Sequence, residues 1–131
     1  ISGPLLDRID LHVWVDPVDA ERVFAGSHSA SSSIMKDQVS SARRKQQQRG
    51  FLNAHISEAD LESICALDAK TRNVLIQAMK SCSLSMRGMK RVLKVARSIA
   101  DLEDCSSLSI EHIAEALQFR PEMNASFSGV S

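Results

Sequence analysis

The sequence predicts a mainly α-helical chain: a small helical bundle over residues 56–122, preceded by a short helix and a single β-strand. Three observations carry that prediction. From Ser57 onward, apolar residues recur at helical spacing, and each recurrence opens on a Ser or Asp suited to cap a helix. Near the start, Asp10-Leu11-His12-Val13-Trp14-Val15 alternates with a period of two instead. Between them, residues 26–33 are Gly-Ser-His-Ser-Ala-Ser-Ser-Ser, the composition of a flexible linker.

Taken in order, Ser2-Gly3-Pro4 ahead of Leu5-Leu6 opens a short helix, with proline in the first turn, where its missing N–H does no harm. The strand follows at once and Pro17 ends it, with Leu11, Val13 and Val15 on one face and Asp10, His12, Trp14 and Asp16 on the other. A lone strand makes no stable sheet, so it needs a partner or a sheet upstream of Ile1. Residues from Ser33 to about Gln48 permit a basic helix with a thin apolar stripe of Ile34, Met35, Val39 and Ala42, and Gly50 stops it. In the bundle, Ser57-Glu58-Ala59-Asp60 resembles a capping box ahead of inward-facing Leu61, Ile64 and Cys65. Asp68 caps a helix burying Val74, Leu75, Ala78, Met79 and Cys82. Ser85 caps one burying Val92, Val95, Ala96, Ile99 and Leu102, and Ser109 caps the last, with Ile110, Ile113, Ala114 and Leu117 inside. The chain thus divides into 1–25 (short helix and strand), 26–55 (linker and basic connector helix), 56–122 (bundle) and 123–131 (a flexible tail).

Sixteen Lys and Arg balance sixteen Asp and Glu, yet the charges are strongly segregated. Successive segments 1–30, 31–50, 51–68, 69–100 and 101–131 carry −3, +4, −4, +8 and −5. A stretch of 32 residues with eight bases and no carboxylate needs an anionic partner, either the acidic flanks of the same chain or an external ligand. Cys65, Cys82 and Cys105 are odd in number, widely spaced and without a CxxC, which argues against a disulfide framework or zinc module and for reduced thiols in the cytoplasm. No apolar run is long enough to cross a membrane. Ile1 in place of Met, with no signal-peptide pattern behind it, suggests a fragment of a longer protein.

No catalytic constellation is complete: GxxxxGK[ST], HExxH, GxSxG and GxGxxG are all missing, and the four histidines never share ligand spacing, so no metal site is expected. Two arginines are more informative. Arg8 closes the short helix before the strand. Arg87 lies in the first turn of the most basic helix, where a cation opposes the helix dipole unless an anion sits nearby. Lys90, Lys94 and Arg97 form one basic strip, and Arg87 and Arg91 an adjacent row. Arg97 can also pair with Asp101 one turn on.

Residues 84–102, Leu-Ser-Met-Arg-Gly-Met-Lys-Arg-Val-Leu-Lys-Val-Ala-Arg-Ser-Ile-Ala-Asp-Leu, are similar to the LSxRGxxRxLxVARTIADL signature of magnesium-chelatase-like AAA+ ATPases. Residues 2–11, Ser-Gly-Pro-Leu-Leu-Asp-Arg-Ile-Asp-Leu, resemble the segment closing their nucleotide-binding core, and Leu52-Asn53-Ala54 and residues 115–120 resemble shorter motifs. Within that family the likeness is to the bacterial competence-associated (ComM/YifB-type) branch. Trp14 stands where a polar residue is expected, and Ser98 where threonine is usual.

The resemblance implies an AAA+ C-terminal helical lid attached to the last helix and strand of its ATPase core. It implies that Arg8 is an arginine finger reaching a neighbouring subunit's ATP, and that Arg87 is the sensor-2 arginine approaching its own subunit's nucleotide. Lys90, Arg91, Lys94 and Arg97 are assigned to the ring interface, to DNA or to holding the lid together. ATP and Mg²⁺ are implied for the full-length protein, in a head-to-tail ring, expected to be a hexamer, that remodels DNA by branch migration or helicase work. The chain alone is expected to be a monomer without bound cofactor or activity, since the Walker segments would precede Ile1. Two alternatives stay open: a stand-alone helical nucleic-acid-binding module, and an interaction domain of a metal-chelatase motor subunit.

Overall fold

A computed structural model describes residues 3–17, 19–21 and 31–120. Helix α1 spans Gly3–Arg8 and α2 spans Ser32–Gln48. A single 3-10 turn over Asn53–His55 leads to α3 (Glu58–Ile64), α4 (Ala69–Ser81), α5 (Met86–Leu102) and α6 (Ile110–Leu117). Residues 22–30, which hold most of the linker expected over 26–33, and the tail from Pro121 lie outside the described residues, and the last three linker positions are corrected to the cap and first residues of α2.

Each bundle helix starts where its cap predicts. The side chains of Ser31, Ser57, Asp68, Ser85 and Ser109 accept backbone N–H groups of the first turns of α2 to α6. The reciprocal capping box is at Ser109, where His112 Nδ1 takes the Ser109 N–H at 3.0 Å. At Ser57 only half of it forms, because the Asp60 carboxylate accepts the Ser57 hydroxyl at 2.6 Å instead of its N–H. Helix ends are equally local. Gly50, Ser83 and Asp104 take φ of 99°, 50° and 63°, and the next N–H bonds back to Gln46, Met79 and Ala100. Two of these three left-handed positions carry a side chain, a conformation that costs about 1–2 kcal/mol relative to the right-handed region.

Helix α5 is the axis of the fold, touching α2, the 3-10 turn and α6, while α4 packs on α6. The core is Ile56, Leu61, Cys65, Leu75, Val92, Leu93, Ala96, Ile99, Ala100, Leu108, Ile113 and Ala116. Two expected core positions are corrected: Leu102 is 43% exposed at the end of α5, and Ala114 is exposed, while Leu93 and Ala100 are buried instead. The predicted strand is also corrected. Residues 10–16 form no strand, and Leu11, Val13, Trp14 and Val15 are 51–78% exposed. Period-two patterning cannot close a ladder without a partner, and none is present among the described residues.

Candidate phosphate-binding cleft

The irregular segment after α1 binds the bundle through polar contacts. His12 N–H donates to Phe119 O at 2.9 Å, and His12 Nε2 reaches the carbonyls of Leu6 and Ile9, both at 3.2 Å. Asp10 meets Arg91 Nε at 3.4 Å. These contacts fold α1 over the N-terminal half of α5. Arg8 therefore joins Arg87, Lys90, Arg91 and Lys94 around one open cleft of about 240 Å³, with Asp10 and Ala54 completing its wall.

Five cations and one carboxylate line this cleft. Some of the charge is answered from within. Lys90 pairs with Glu58, whose carboxyl is held below its ordinary range by that hydrogen bond first and by the lysine charge second. Lys94 Nζ donates to Ala54 O at 3.2 Å, and Arg91 holds Asp10. Arg8 is exposed and forms no ion pair among the described residues. Ligand pockets that enclose a whole drug-sized molecule usually begin near ~300 Å³, so this cleft suits a polyphosphate group. Asp10, its sole lining carboxylate, is already engaged by Arg91, so the cleft offers phosphate donors but no ready set of ligands for Mg²⁺.

Arg97 lies apart from the arginines of the cleft, and of the roles open to it from the sequence (the ring interface, DNA or holding the lid together) its contacts fit the last. It is 2% exposed, and its guanidinium donates to the carbonyls of Cys105 (2.5 Å) and Ser106 (2.9 Å) and lies 3.3 Å from Asp101. Asp101, equally buried, also accepts from Arg49 and from Asn53 Nδ2 at 2.8 Å. Ser98 Oγ accepts the same Asn53 amide at 3.1 Å, and Asn53 N–H donates to Gln46. This network fastens the connector helix to α5. Asp10, His12, Asn53 and Arg49 were not singled out as site-forming residues by sequence reasoning, because each works through a partner 48 to 107 positions away, at Arg91, Phe119 and Asp101.

Glu103, Cys105 and His112 bring ligand atoms within 4.8 Å of one another. His112 Nδ1 accepts the Ser109 N–H, so on that hydrogen-bond pattern Nε2 carries the ring proton and donates to Glu103 at 2.8 Å. A metal would need that nitrogen's lone pair. The cluster therefore reads as a helix cap with a hydrogen-bonded carboxylate.

The sequence profile of the family described as "Magnesium chelatase, subunit ChlI C-terminal" matches residues 29–120. The chain belongs to this family. Its relatives include Competence protein ComM of Haemophilus influenzae, 34% identical over 122 residues, which is 92% of this chain and 24% of that protein. The uncharacterized protein YifB of Escherichia coli is 32% identical over 123 residues, with the same shares of each. An uncharacterized protein of Mycobacterium bovis is 37% identical over 125 residues, 92% of this chain and 25% of its own. The chain thus spans about a quarter of the length of the relatives it matches. No helix among the described residues is long and apolar enough to cross a membrane.

Proposed function

We propose that the chain is the helical lid of an AAA+ ATPase and that its basic cleft receives the polyphosphate of ATP. The observation that carries the reading is that Arg8 and Arg87, on helices far apart in sequence, line the same cleft with Lys90, Arg91 and Lys94. Guanidinium groups present fixed N–H donors to phosphate oxygens, and a positioned arginine contributes about 10³–10⁵ to phosphoryl-transfer rates. Because both arginines face one cleft of one chain, we read them as serving a single nucleotide, bound by the neighbouring subunit of a head-to-tail ring. The resemblance divides them between two nucleotides, and the shared cleft argues against that division.

In the full-length protein, ATP hydrolysis would drive remodelling of DNA, a reading supported by the resemblance and by a relative named as a competence protein. The stand-alone nucleic-acid module is less well supported. Lys90, Arg91 and Lys94 are held by Glu58, Asp10 and Ala54, which leaves a narrow cationic spot in place of a phosphate-tracking stripe. Arg8→Ala in the full-length protein is expected to lower hydrolysis by ~10³-fold or more while leaving ATP affinity unchanged. Weakened ATP binding with turnover preserved would overturn the assignment.

A further inference from the structure

A second surface of the lid is built for a protein helix. Between α3, α4 and α5 lies an open groove of about 360 Å³. Its floor is apolar, formed by Leu61, Ile76, Met79 and Met89, with Ile76 41% exposed. Glu62 stands on its α3 side and Arg72 on its α4 side.

The chain also exposes a surface of matching pattern. Ala42 of α2 is buried, but Ile34, Met35 and Val39, which continue the same stripe toward the N-terminus, are 49–55% exposed. At about 100° per residue, Lys36 and Arg43 flank this stripe on one side and Asp37 flanks it on the other. Apolar floor meets apolar stripe, the acidic rim meets the basic flank, and the basic rim meets Asp37. One direction of insertion satisfies both sides at once. Among the described residues Lys36, Asp37, Glu62 and Arg72 form no ion pair, so the matching charges are available.

The helix cannot enter the groove of its own chain. From Lys45 to Ala54 the connector meets α5 in reverse order, first Asp104, then Asp101, then Lys94. The first turns of α2 therefore run out past the C-terminal end of α5, whereas the groove flanks Met89 and Leu93 near its start. A rigid helix locked by Arg49–Asp101 and Lys45–Asp104 cannot fold back over that distance.

We infer that the groove receives the N-terminal half of α2 from a second copy of this chain. The two surfaces are different, so the contact is heterologous and propagates head to tail. The inference is independent of the nucleotide reading and departs from the expectation that the chain alone is a monomer.

Sedimentation equilibrium of the chain over a range of concentrations tests it. The average mass should rise with concentration. Val39→Asp and Ile76→Asp, both at exposed positions and checked for helix content by circular dichroism, should each weaken association by at least about tenfold. Mixed in equal amounts, these two variants should form dimers that grow no further, since only one intact stripe and one intact groove remain per pair. A wild-type mass independent of concentration would overturn the inference. So would association indifferent to Val39→Asp, which would point to another occupant such as the exposed residues 11–15, or a mixture that fails to pair.

Discussion

The two ends of α5 carry the same kinds of residue and put them to opposite uses. At its start, Arg87, Lys90, Arg91 and Lys94 border an open cleft, where Lys90 and Arg91 meet the exposed carboxylates of Glu58 and Asp10 and Lys94 meets the Ala54 carbonyl. At its end, Arg97 and Asp101 are each 2% exposed; the terminal nitrogens of Arg97 meet two carbonyls while its Nε is left without a partner, and Asp101 accepts from an amide and a second guanidinium. Residue type therefore does not assign a role. What decides is whether the packed chain supplies enough partners to take the charge out of water. Where the partners are themselves buried, as at Arg97, the arginine fastens two elements together; where the side chain lines the open cleft, as at Arg87 and Arg91, it keeps a solvent-facing position.

Truncating a carboxylate at each end separates the two cases. Asp101→Ala leaves Arg97 and Arg49 without their shared anion, and about 3–5 kcal/mol of stability should be lost in chemical denaturation. Asp10→Ala removes a single exposed partner of Arg91 at the cleft, and the change should stay within about 1 kcal/mol. Equal losses would erase the contrast.

A pH titration probes the buried side of α5 in another way. The Cys65 thiol lies against Leu93 O, and burial pushes its pKa from the ordinary 9.0 up to about 11. The protonated form is the one the fold favours. Its contribution is therefore complete below the unfolded value of 9.0 and is lost as pH rises toward about 11. Thermal melts across that interval should fall more steeply for the wild type than for Cys65→Val. Parallel curves would show that the thiol is not held by burial.

The smallest effect concerns the turn that launches the cleft-bearing end. Ser83 sits at φ 50° between α4 and α5, so Ser83→Gly should stabilise the chain by a few tenths to about 1 kcal/mol. A loss of stability would mean that the serine side chain holds the turn.

These contrasts also mark what could be read from the sequence. Helix starts were legible because Ser57, Asp68, Ser85 and Ser109 act on N–H groups within three residues, whereas the Ser31 cap was hidden among the serines read as linker. The buried stripe of α5 was legible at Val92, Ala96 and Ile99, but its edge was misjudged at Leu102, where the helix outruns its neighbours. The strand at 10–16 was misread because alternation reports an amphipathic preference and says nothing of a pairing partner. Arg8 and Arg87 were singled out in the sequence. That they face one cleft was not, since it depends on His12 reaching Phe119 and Asp10 reaching Arg91.

That shared cleft is the central claim, and mixed assemblies of the full-length protein test it directly. Arg8→Ala and Arg87→Ala subunits are each expected to be inactive. If both arginines of one chain act on one nucleotide, every cleft in a mixture lacks one of them, and mixing restores no hydrolysis. If Arg8 serves a neighbour's nucleotide and Arg87 its own, junctions with both arginines form between unlike subunits. Recovery of ATP hydrolysis on mixing would then contradict the account.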